Sequence, residues 1–224
     1  MADDAIARSW DREYDAGRYA EDPAVEFTAD VLRAAEGITD RSPGLYIGCG
    51  NGRNFLPLTA SGLDLVGLDI APRAIEQLRT RRPDLADRLR CGTLEDLPPD
   101  QHYPLIVGIQ VFQHGDQPAV HAHLTAAAAR VEPGGLLAIR VNATATDLAF
   151  DHTRIDDNRH GGFSITYQDG PKTGLNIHFF TDTELTTVLG PAFEPVLPLR
   201  LHSTPRADPA TGQWSQWEGI WRAR

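Results

Sequence analysis

A cluster of glycines is the feature of this 224-residue sequence with the clearest chemical meaning. Gly48, Gly50 and Gly52 follow directly on a short apolar run at residues 45–47. Glycines let the backbone turn tightly and let a ligand come close to it, because no Cβ stands in the way. A helix that follows such a turn presents free N–H groups to a carboxylate or a phosphate. The spacing therefore predicts a ligand site between a strand and a helix.

An acidic residue stands at the end of the next apolar run. Asp69 follows residues 63–68, and a carboxylate at this place can accept hydrogen bonds from both hydroxyls of a ribose. Strand, glycine turn, helix and carboxylate together predict a cofactor that contains adenosine. Dinucleotide-binding turns carry a third glycine where this chain has Arg53, which favours a cofactor without a pyrophosphate. An NAD(P)-dependent oxidoreductase is the alternative.

These segments resemble the class I (Rossmann-like) S-adenosylmethionine-dependent methyltransferases, in particular small-molecule and tellurite-resistance-type members. The resemblance covers residues 40–142 and rests on four ordered segments, at residues 45–54, 66–72, 94–98 and 131–136. It implies S-adenosylmethionine as cofactor, S-adenosylhomocysteine as product, and in-line methyl transfer to an oxygen or nitrogen of a small-molecule acceptor. A protein that binds the cofactor without turnover is a further alternative, because no residue is an unambiguous base.

The resemblance also implies cofactor contacts, residue by residue. The glycine turn should pack against the methionine part, Asp69 should hold the ribose, and Ile70 should lie against the adenine. Gln110 should help to hold the methionine amino group. The full set of implied cofactor residues is Gly48, Cys49, Gly50, Asn54, Asp69, Ile70, Thr93, Leu94, Glu95 and Gln110. The sequence departs from the family pattern at Tyr46 and Thr93, where an acidic residue and an aspartate are usual.

Three polar residues are candidates for the catalytic step. His114 lies in the loop after the fourth predicted strand, where ligands bind in this architecture, and the ordinary pKa of histidine is near neutrality. It is the candidate general base, with a packing role as the alternative. Arg140 and Asn142 share one face of the fifth predicted strand and could grip a carboxylate or carbonyl of the acceptor. An ion pair is the competing interpretation of Arg140.

Further candidates for substrate binding lie outside the glycine turn. They are Tyr14, Tyr19, Tyr167 and His178. The two N-terminal tyrosines belong to residues 1–37, which are predicted to form a helical lid, whereas ordinary helix packing is expected for Trp10. The other two lie in residues 143–180, which are predicted to cover the substrate. The alternation of residues leaves open whether His178 faces the pocket or the solvent.

Charge and composition limit the partners. Asp and Glu number 31 against 21 Lys and Arg, for a formal net charge of −10. Binding to nucleic acid phosphates needs clustered cations, so a nucleic acid partner is not expected. Lys172 is the single lysine in the chain. If it converges with His114, Arg140 and His178, the pocket is mildly basic and an anionic acceptor is the first to try.

Other classes of protein are not expected either. No apolar run is long enough for a membrane-spanning helix, and the first residues carry no secretory signal. The histidines form no metal-binding motif, so no metal is predicted. Cys49 and Cys91 form no CxxC pair, which fits a cytoplasmic protein in a reducing compartment. The sequence carries no signal for an oligomeric state.

The elements that must position these residues alternate along the chain. Apolar runs at residues 45–47, 63–68, 89–91, 105–109 and 136–141 predict parallel strands separated by helices. Beyond them, the pattern predicts a hairpin, a helix capped by Thr181, and strands at 193–202 and 214–222. The predicted fold is α/β: a doubly wound, mostly parallel sheet of seven strands with the last one antiparallel, helices on both faces, and a β-hairpin insert after strand five. Residues 1–224 are predicted to form one domain.

Overall fold

A computed structural model describes residues 2–19, 22–38, 42–206 and 211–224. The strands in these residues are β1 (Gly44–Ile47), β2 (Leu65–Asp69), β3 (Leu89–Cys91), β4 (Tyr103–Ile109), β5 (Val131–Asn142), β6 (His152–Asp157), β7 (Phe163–Tyr167), β8 (Asn176–Phe179), β9 (Phe193–Pro205) and β10 (Gln213–Ala223). The α-helices are α1 (Ala2–Asp15), α2 (Phe27–Ala35), α3 (Phe55–Ala60), α4 (Pro72–Arg81), α5 (Gln117–Ala128) and α6 (Asp182–Leu189).

The main sheet has seven strands in the order β3-β2-β1-β4-β5-β10-β9. The pairs from β3 through to β5 are all parallel, whereas β10 lies antiparallel between β5 and β9. The predicted mostly parallel sheet of seven strands, with the last one antiparallel, is therefore confirmed. Because β1 to β5 run in the same direction, the loops that follow them all leave the same edge of the sheet.

Both faces of the sheet are covered by helices, as the continuous apolar strands predict. All seven residues of β4 are buried. In β1, Leu45 and Ile47 pack into the core beneath α5 and α6, whereas Tyr46 packs into the core beneath α2, α3 and α4. The alternation of side chains along each strand thus divides one sheet between two hydrophobic cores.

The insert after β5 is larger than the predicted hairpin. β7 and β8 pair antiparallel as expected, but β6 pairs with the other side of β7 and makes a three-stranded sheet. Residues 152–157 are mostly polar and mostly exposed, so no alternation of apolar residues marked them as a strand. Charged side chains are common on such an edge strand, because they discourage pairing with other chains.

The start of one strand differs from the sequence prediction, whereas the cap of one helix agrees with it. β5 begins at Val131 and not at residue 136, and Pro133, Gly134 and Gly135 form an irregularity within the pairing with β4. The Thr181 side chain accepts a hydrogen bond from the backbone of Glu184 and caps α6, as predicted. Among the described residues, no helix is both long enough and apolar enough to cross a membrane.

Candidate functional site

A cavity of about 1360 Å³ opens at the edge of the sheet where β1 to β5 end. All ten residues with an implied cofactor role line it, namely Gly48, Cys49, Gly50, Asn54, Asp69, Ile70, Thr93, Leu94, Glu95 and Gln110. Parallel strands bring these residues together from four separate loops, because their carboxyl ends meet at one edge. The cofactor roles themselves stay predictions.

The turn after β1 needs its glycines for two reasons. Gly48 and Gly50 have φ angles of +72° and +53°, a region that other residues adopt only with strain. In addition, a Cβ on Gly50 would lie 2.6 Å from the hydroxyl oxygen of Tyr14, and one on Gly48 would lie 2.8 Å from Val111. The side chains of Tyr14 and Val111 therefore pack closely against the backbone of this turn and limit its conformation.

Asp69 is tied to the same turn by its carboxylate. Its Oδ2 accepts a hydrogen bond from the backbone N–H of Gly50 at 2.7 Å, and its Oδ1 accepts one from Ala71 at 2.9 Å. Burial raises the pKa of Asp69 to about 6, although the two backbone donors oppose the rise. The carboxylate thus has a fixed orientation at the end of β2 and titrates close to neutrality.

The two departures from the family pattern have structural explanations. Tyr46 is fully buried, and its ring packs edge-on against Phe55 with centroids 5.9 Å apart, so a core aromatic occupies this position. The Thr93 backbone N–H and hydroxyl both donate to the carboxylate of Asp96, which caps a short 3-10 helix at Leu94–Asp96. That cap sets the direction in which the chain passes the cavity.

Asn54 has a structural partner as well. Its Oδ1 accepts a hydrogen bond from the backbone N–H of Val25 at 3.0 Å and so holds the segment before α2 against the glycine turn. Cys49 is buried, and its backbone N–H donates to Leu68 at 3.1 Å, next to the end of β2. Asn54 and Cys49 thus both support the glycine turn through hydrogen bonds and line the cavity.

His114 is held by a strained residue of the loop after β4. Gln110 has a φ of +59°, which is uncommon for a residue with a side chain, and its carbonyl accepts a hydrogen bond from His114 Nε2 at 3.1 Å. A carbonyl can only accept, so Nε2 carries the proton and Nδ1 presents a lone pair. Within the described part of the chain, this Nδ1 is buried and has no hydrogen-bond partner.

The surroundings of His114 make it a neutral imidazole. Burial, followed by the nearby charge of Lys172, lowers the pKa of His114 to about 3. A group with so low a pKa accepts hydrogen bonds but retains a proton poorly near pH 7. The proposed base therefore has the geometry of an acceptor and lacks the basicity that the sequence interpretation assumed.

α1 covers this part of the cavity. The ring of Trp10 packs edge-on against His114 with centroids 5.1 Å apart, and Lys172 Nζ lies 3.2 Å from the centroid of the same indole. Trp10 therefore lines the cavity, where helix packing alone was expected. The helix is itself anchored to α4, where the backbone of Arg73 donates to Asp11 and Gln77 donates to the backbone of Tyr14.

The tyrosines proposed for substrate binding all line the cavity, in different parts of it. Tyr14 is buried against the glycine turn, at the cofactor end. Tyr19 donates its hydroxyl hydrogen to Glu13 at 3.1 Å, and burial followed by Glu13 raises its pKa to about 12. Tyr167 comes from the insert and packs edge-on against Phe150. Their roles toward a substrate stay predictions.

Arg140 and Asn142 lie at the end of β5 as predicted. Arg140 is buried and its Nε donates to Glu218 Oε1 at 2.8 Å, directly across the pairing of β5 with β10. The other Glu218 oxygen accepts from Arg200. The Arg140 side chain therefore forms an ion pair, which is the competing interpretation from the sequence. An acceptor carboxylate that bound Arg140 would have to compete with the carboxylate of Glu218. Asn142 lines the cavity, and its backbone N–H donates to Gln113 at 2.9 Å.

His178 does not belong to this cavity, contrary to the sequence prediction. It is fully buried on the opposite side of the insert, where its Nε2 donates to Glu184 Oε1 at 3.0 Å. His121 and Asn158 donate to the same oxygen, both at 2.6 Å. This buried cluster joins α5, α6 and the insert. The candidate ligand atoms of His121, His178 and Glu184 all lie within 4.8 Å of one another, so these residues could hold a metal, although the sequence predicted none.

The buried carboxylate predicts an acid-dependent loss of stability. Burial favours protonation of Glu184, but the hydrogen bonds from His121 and His178 outweigh it and lower its pKa to about 2. A lowered pKa stabilises the fold above the ordinary value of the unfolded chain, 4.5, and this contribution is lost as the pH falls toward 2. At about 1.36 kcal/mol per pH unit, we expect a loss of about 3 kcal/mol.

Denaturant unfolding between pH 5 and 3 tests this expectation. The free energy of unfolding of the natural chain should fall more steeply than that of the Glu184→Gln variant. A Glu194→Gln variant, which changes an exposed carboxylate, should keep the natural slope. Equal slopes for all three proteins would contradict the expected role of the cluster.

The comparisons with known proteins match part of the sequence and the fold. Residues 45–135 match the family described as "Methyltransferase domain". Two curated relatives are Ubiquinone biosynthesis O-methyltransferases: the protein of Bradyrhizobium sp. (strain ORS 278) is 31% identical over 97 residues, and that of Cereibacter sphaeroides (strain ATCC 17025) is 35% identical over 96. Each match covers 42% of this chain and 38% of the relative, so the chain spans well under half the length of these relatives.

Solved structures extend the likeness of fold over nearly the whole chain. The 1,6-didemethyltoxoflavin-N1-methyltransferase of Burkholderia thailandensis superposes with a TM-score of 0.65 at 18% identity and covers 97% of this chain and 87% of that one. TehB of Haemophilus influenzae gives a TM-score of 0.63 at 16% identity, over 96% of this chain and 67% of TehB. Residues 45–135 thus match a methyltransferase domain, and the fold of the chain is similar to that of solved methyltransferases.

Proposed function

We propose that this protein transfers a methyl group from S-adenosylmethionine to an oxygen or nitrogen of a small molecule, in the cytoplasm, and releases S-adenosylhomocysteine. The observation that carries the proposal is the carboxylate of Asp69, fixed by Gly50 and Ala71 at the mouth of the glycine turn. In this pose it can accept the two ribose hydroxyls of an adenosine. The unpaired cysteines Cys49 and Cys91 support a reducing compartment.

The relatives support the class of reaction. Two of the curated proteins are named as O-methyltransferases. One of the structures with the same fold was determined with 1,6-didemethyltoxoflavin and S-adenosylhomocysteine bound. An oxygen or nitrogen of a small acceptor is therefore the target that we propose, and the identity of the acceptor follows from the cavity, not from the fold.

S-adenosylmethionine, when bound, supplies an activated methyl group. The protein has then to align the acceptor with that methyl group and to exclude water. In this site the loop of Gln110 and His114 borders the place where β4 ends, and α1 closes over it. We propose that the lone pair of His114 Nδ1 accepts a hydrogen bond from the acceptor and so orients the attacking atom. The bond from this atom to the methyl group forms as the bond from the methyl group to sulfur breaks, and the proton of the attacking hydroxyl or amine leaves to solvent.

Calorimetry together with an assay of product tests the proposal. S-adenosylmethionine and S-adenosylhomocysteine should each bind once per chain, and NADH should not bind. Mass spectrometry after incubation with S-adenosylmethionine and a panel of phenols and amines should detect a methylated product. Binding of NADH alone would favour an oxidoreductase, and tight cofactor binding without any product would favour a binding protein.

The raised pKa of Asp69 predicts a pH dependence of cofactor binding. The ionised carboxylate accepts the ribose hydroxyls, and with a pKa of about 6 roughly a tenth of the chains are ionised at pH 5. We expect the affinity for S-adenosylhomocysteine to be about tenfold lower at pH 5 than at pH 7. Calorimetric Kd values at the two pH values measure the change.

The Asp69→Asn variant is the control for this pH dependence. It should bind S-adenosylhomocysteine weakly at both pH values and with no difference between them. Thermal melting should show that its fold is retained. An affinity of the natural protein that is the same at pH 5 and pH 7 would contradict the role of the Asp69 carboxylate.

A further inference from the structure

The single lysine of the chain lies in an unusual place. Lys172 belongs to the turn between β7 and β8, yet its side chain lines the cavity described above. Its Nζ is buried and, among the described residues, has no hydrogen-bond partner. A buried ammonium without a hydrogen-bond partner is costly, because it has lost the hydrogen bonds that it made to water. Such a group is satisfied when an anion binds.

The acidic group that acts on Lys172 does not fill this role. Glu13 acts on Lys172 electrostatically. Its Oε2, however, already accepts from Tyr19 at 3.1 Å and lies 3.2 Å from Arg18 Nη1. Burial, offset in part by Glu13, lowers the pKa of Lys172 to about 8. The ammonium therefore remains mostly charged at pH 7 and is open to a further anionic partner.

The indole of Trp10 holds this ammonium in position. Lys172 Nζ lies 3.2 Å from the ring centroid, a cation–π contact that fixes the charge without supplying a hydrogen bond. The same indole touches the ring of His114, whose Nδ1 lone pair is also buried and without a partner. Two buried polar groups without a hydrogen-bond partner thus lie around one indole, the ammonium of Lys172 with its donor hydrogens and the Nδ1 acceptor of His114.

These two unsatisfied groups are complementary to one kind of molecule. An oxyanion satisfies the ammonium of Lys172, and a hydroxyl or N–H satisfies the lone pair of His114. Aromatic rings also line the same cavity, namely Trp10, Tyr19, Phe150, Tyr167 and Trp214, and they favour a ligand that contains a flat ring.

We propose that Lys172 and His114 form an acceptor subsite that selects a hydroxylated aromatic carboxylate, with the carboxylate on Lys172 and a hydroxyl on His114. The proposal deepens the proposed methyltransferase function and rests on it. The carboxylate that binds Lys172 belongs to the acceptor in this proposal. The carboxylate of the cofactor's own methionine part is the competing source, and the experiment below separates the two.

Nitrogen NMR of selectively labelled protein provides the test. Because the chain holds one lysine, protein grown with lysine labelled at the side-chain nitrogen gives a single Nζ signal. The probes are 2-, 3- and 4-hydroxybenzoate, with the matching neutral hydroxybenzamides, added to the complex with S-adenosylhomocysteine. We expect at least one acid to shift the Nζ signal and to raise the pKa of Lys172 by about one unit, while its amide does neither.

Variants of Lys172 complete the design. Lys172→Met keeps the apolar stem on Trp10 and should lower the affinity for the hydroxybenzoate about 10- to 100-fold, as expected for the loss of a charged hydrogen bond. Lys172→Arg keeps the charge and should retain most of the affinity. Both variants should bind S-adenosylhomocysteine within about threefold of the natural protein, since the cofactor part does not use Lys172.

Three outcomes would overturn the proposal. In the first, none of the acids shifts the Nζ signal, or the amides bind as well as the acids. In the second, Lys172→Met binds the acid normally. In the third, S-adenosylhomocysteine itself shifts the signal and Lys172→Met no longer binds it, which would assign the lysine to the cofactor. Failure of the natural protein to bind S-adenosylhomocysteine would instead refute the proposed function, so the two failures are distinguishable.

Discussion

Replacing Gly50 by alanine is expected to weaken binding of S-adenosylhomocysteine about 100-fold, or about 2.8 kcal/mol. Gly50 has a φ of +53°, which costs a residue with a Cβ about 1–2 kcal/mol. The added Cβ would also lie 2.6 Å from the hydroxyl oxygen of Tyr14 and would displace the ring that covers the turn. Calorimetry of the Gly50→Ala variant against the natural protein measures the loss.

Two further variants separate the causes. Gly62→Ala introduces a Cβ at a φ of +99° with no atom within 4 Å, so it shares the backbone strain without the clash, and its cofactor affinity should be unchanged. Adding Tyr14→Phe to Gly50→Ala removes the clashing oxygen and should restore part of the affinity. Normal binding by Gly50→Ala would show that the turn does not approach the cofactor.

Replacing His114 by alanine is expected to lower turnover about 100-fold or more, the range typical of a positioned polar group at the reacting atoms. The cofactor affinity should change less than turnover does, because the His114 ring contacts the indole of Trp10 and, on Gln110, the backbone carbonyl. His114→Phe keeps a ring on Trp10 but has no lone pair, and should be as slow as the alanine variant. Steady-state kinetics on the acceptor found in the product assay measures both.

The pH profile distinguishes an orienting histidine from a titrating base. With a pKa of about 3, His114 should give no inflection near pH 6.5 in kcat/KM for the acceptor, measured at saturating S-adenosylmethionine so that the titration of Asp69 in the free protein does not contribute. His102→Ala, which removes an exposed imidazole that contacts only the backbone of Asp100 among the hydrogen bonds described, is the control and should keep full activity. Full turnover by His114→Phe would leave His114 with a packing role alone.

The positions of the glycine turn and of Asp69 at the cavity could be predicted from the sequence because their signals are local. A glycine turn directly after β1 and a carboxylate at the end of β2 lie close in the chain, and parallel strands must bring their carboxyl ends together. The same reasoning correctly places Gln110 after β4. No three-dimensional information is needed once the strands are recognised.

The acceptor end could not be predicted in the same way, because its groups depend on packing between distant elements. The alternation along β8 left open which way His178 faces, and only the contact with Glu184 on α6 places it outside the cavity. Likewise, the low pKa of His114 follows from burial and from Lys172, which is brought close by the insert. Trp10 was given a packing role because a tryptophan on an amphipathic helix usually has one.

The partner of Arg140 is another feature that the sequence could not predict. Alternation along β5 correctly predicted that it would reach the edge of the cavity, but its partner, Glu218, lies 78 residues further along the chain. Only the antiparallel insertion of β10 between β5 and β9 brings that carboxylate opposite the guanidinium. The order of strands in the sheet, which the sequence does not give directly, is therefore what pairs Arg140 with Glu218.

A crystal structure of the protein with S-adenosylhomocysteine tests the central claim most directly. We predict that both ribose hydroxyls donate to Asp69, that the adenine lies between Ile70 and Leu94, and that the sulfur faces the part of the cavity lined by His114 and Lys172. A cofactor bound elsewhere, or one whose ribose does not contact Asp69, would contradict the account.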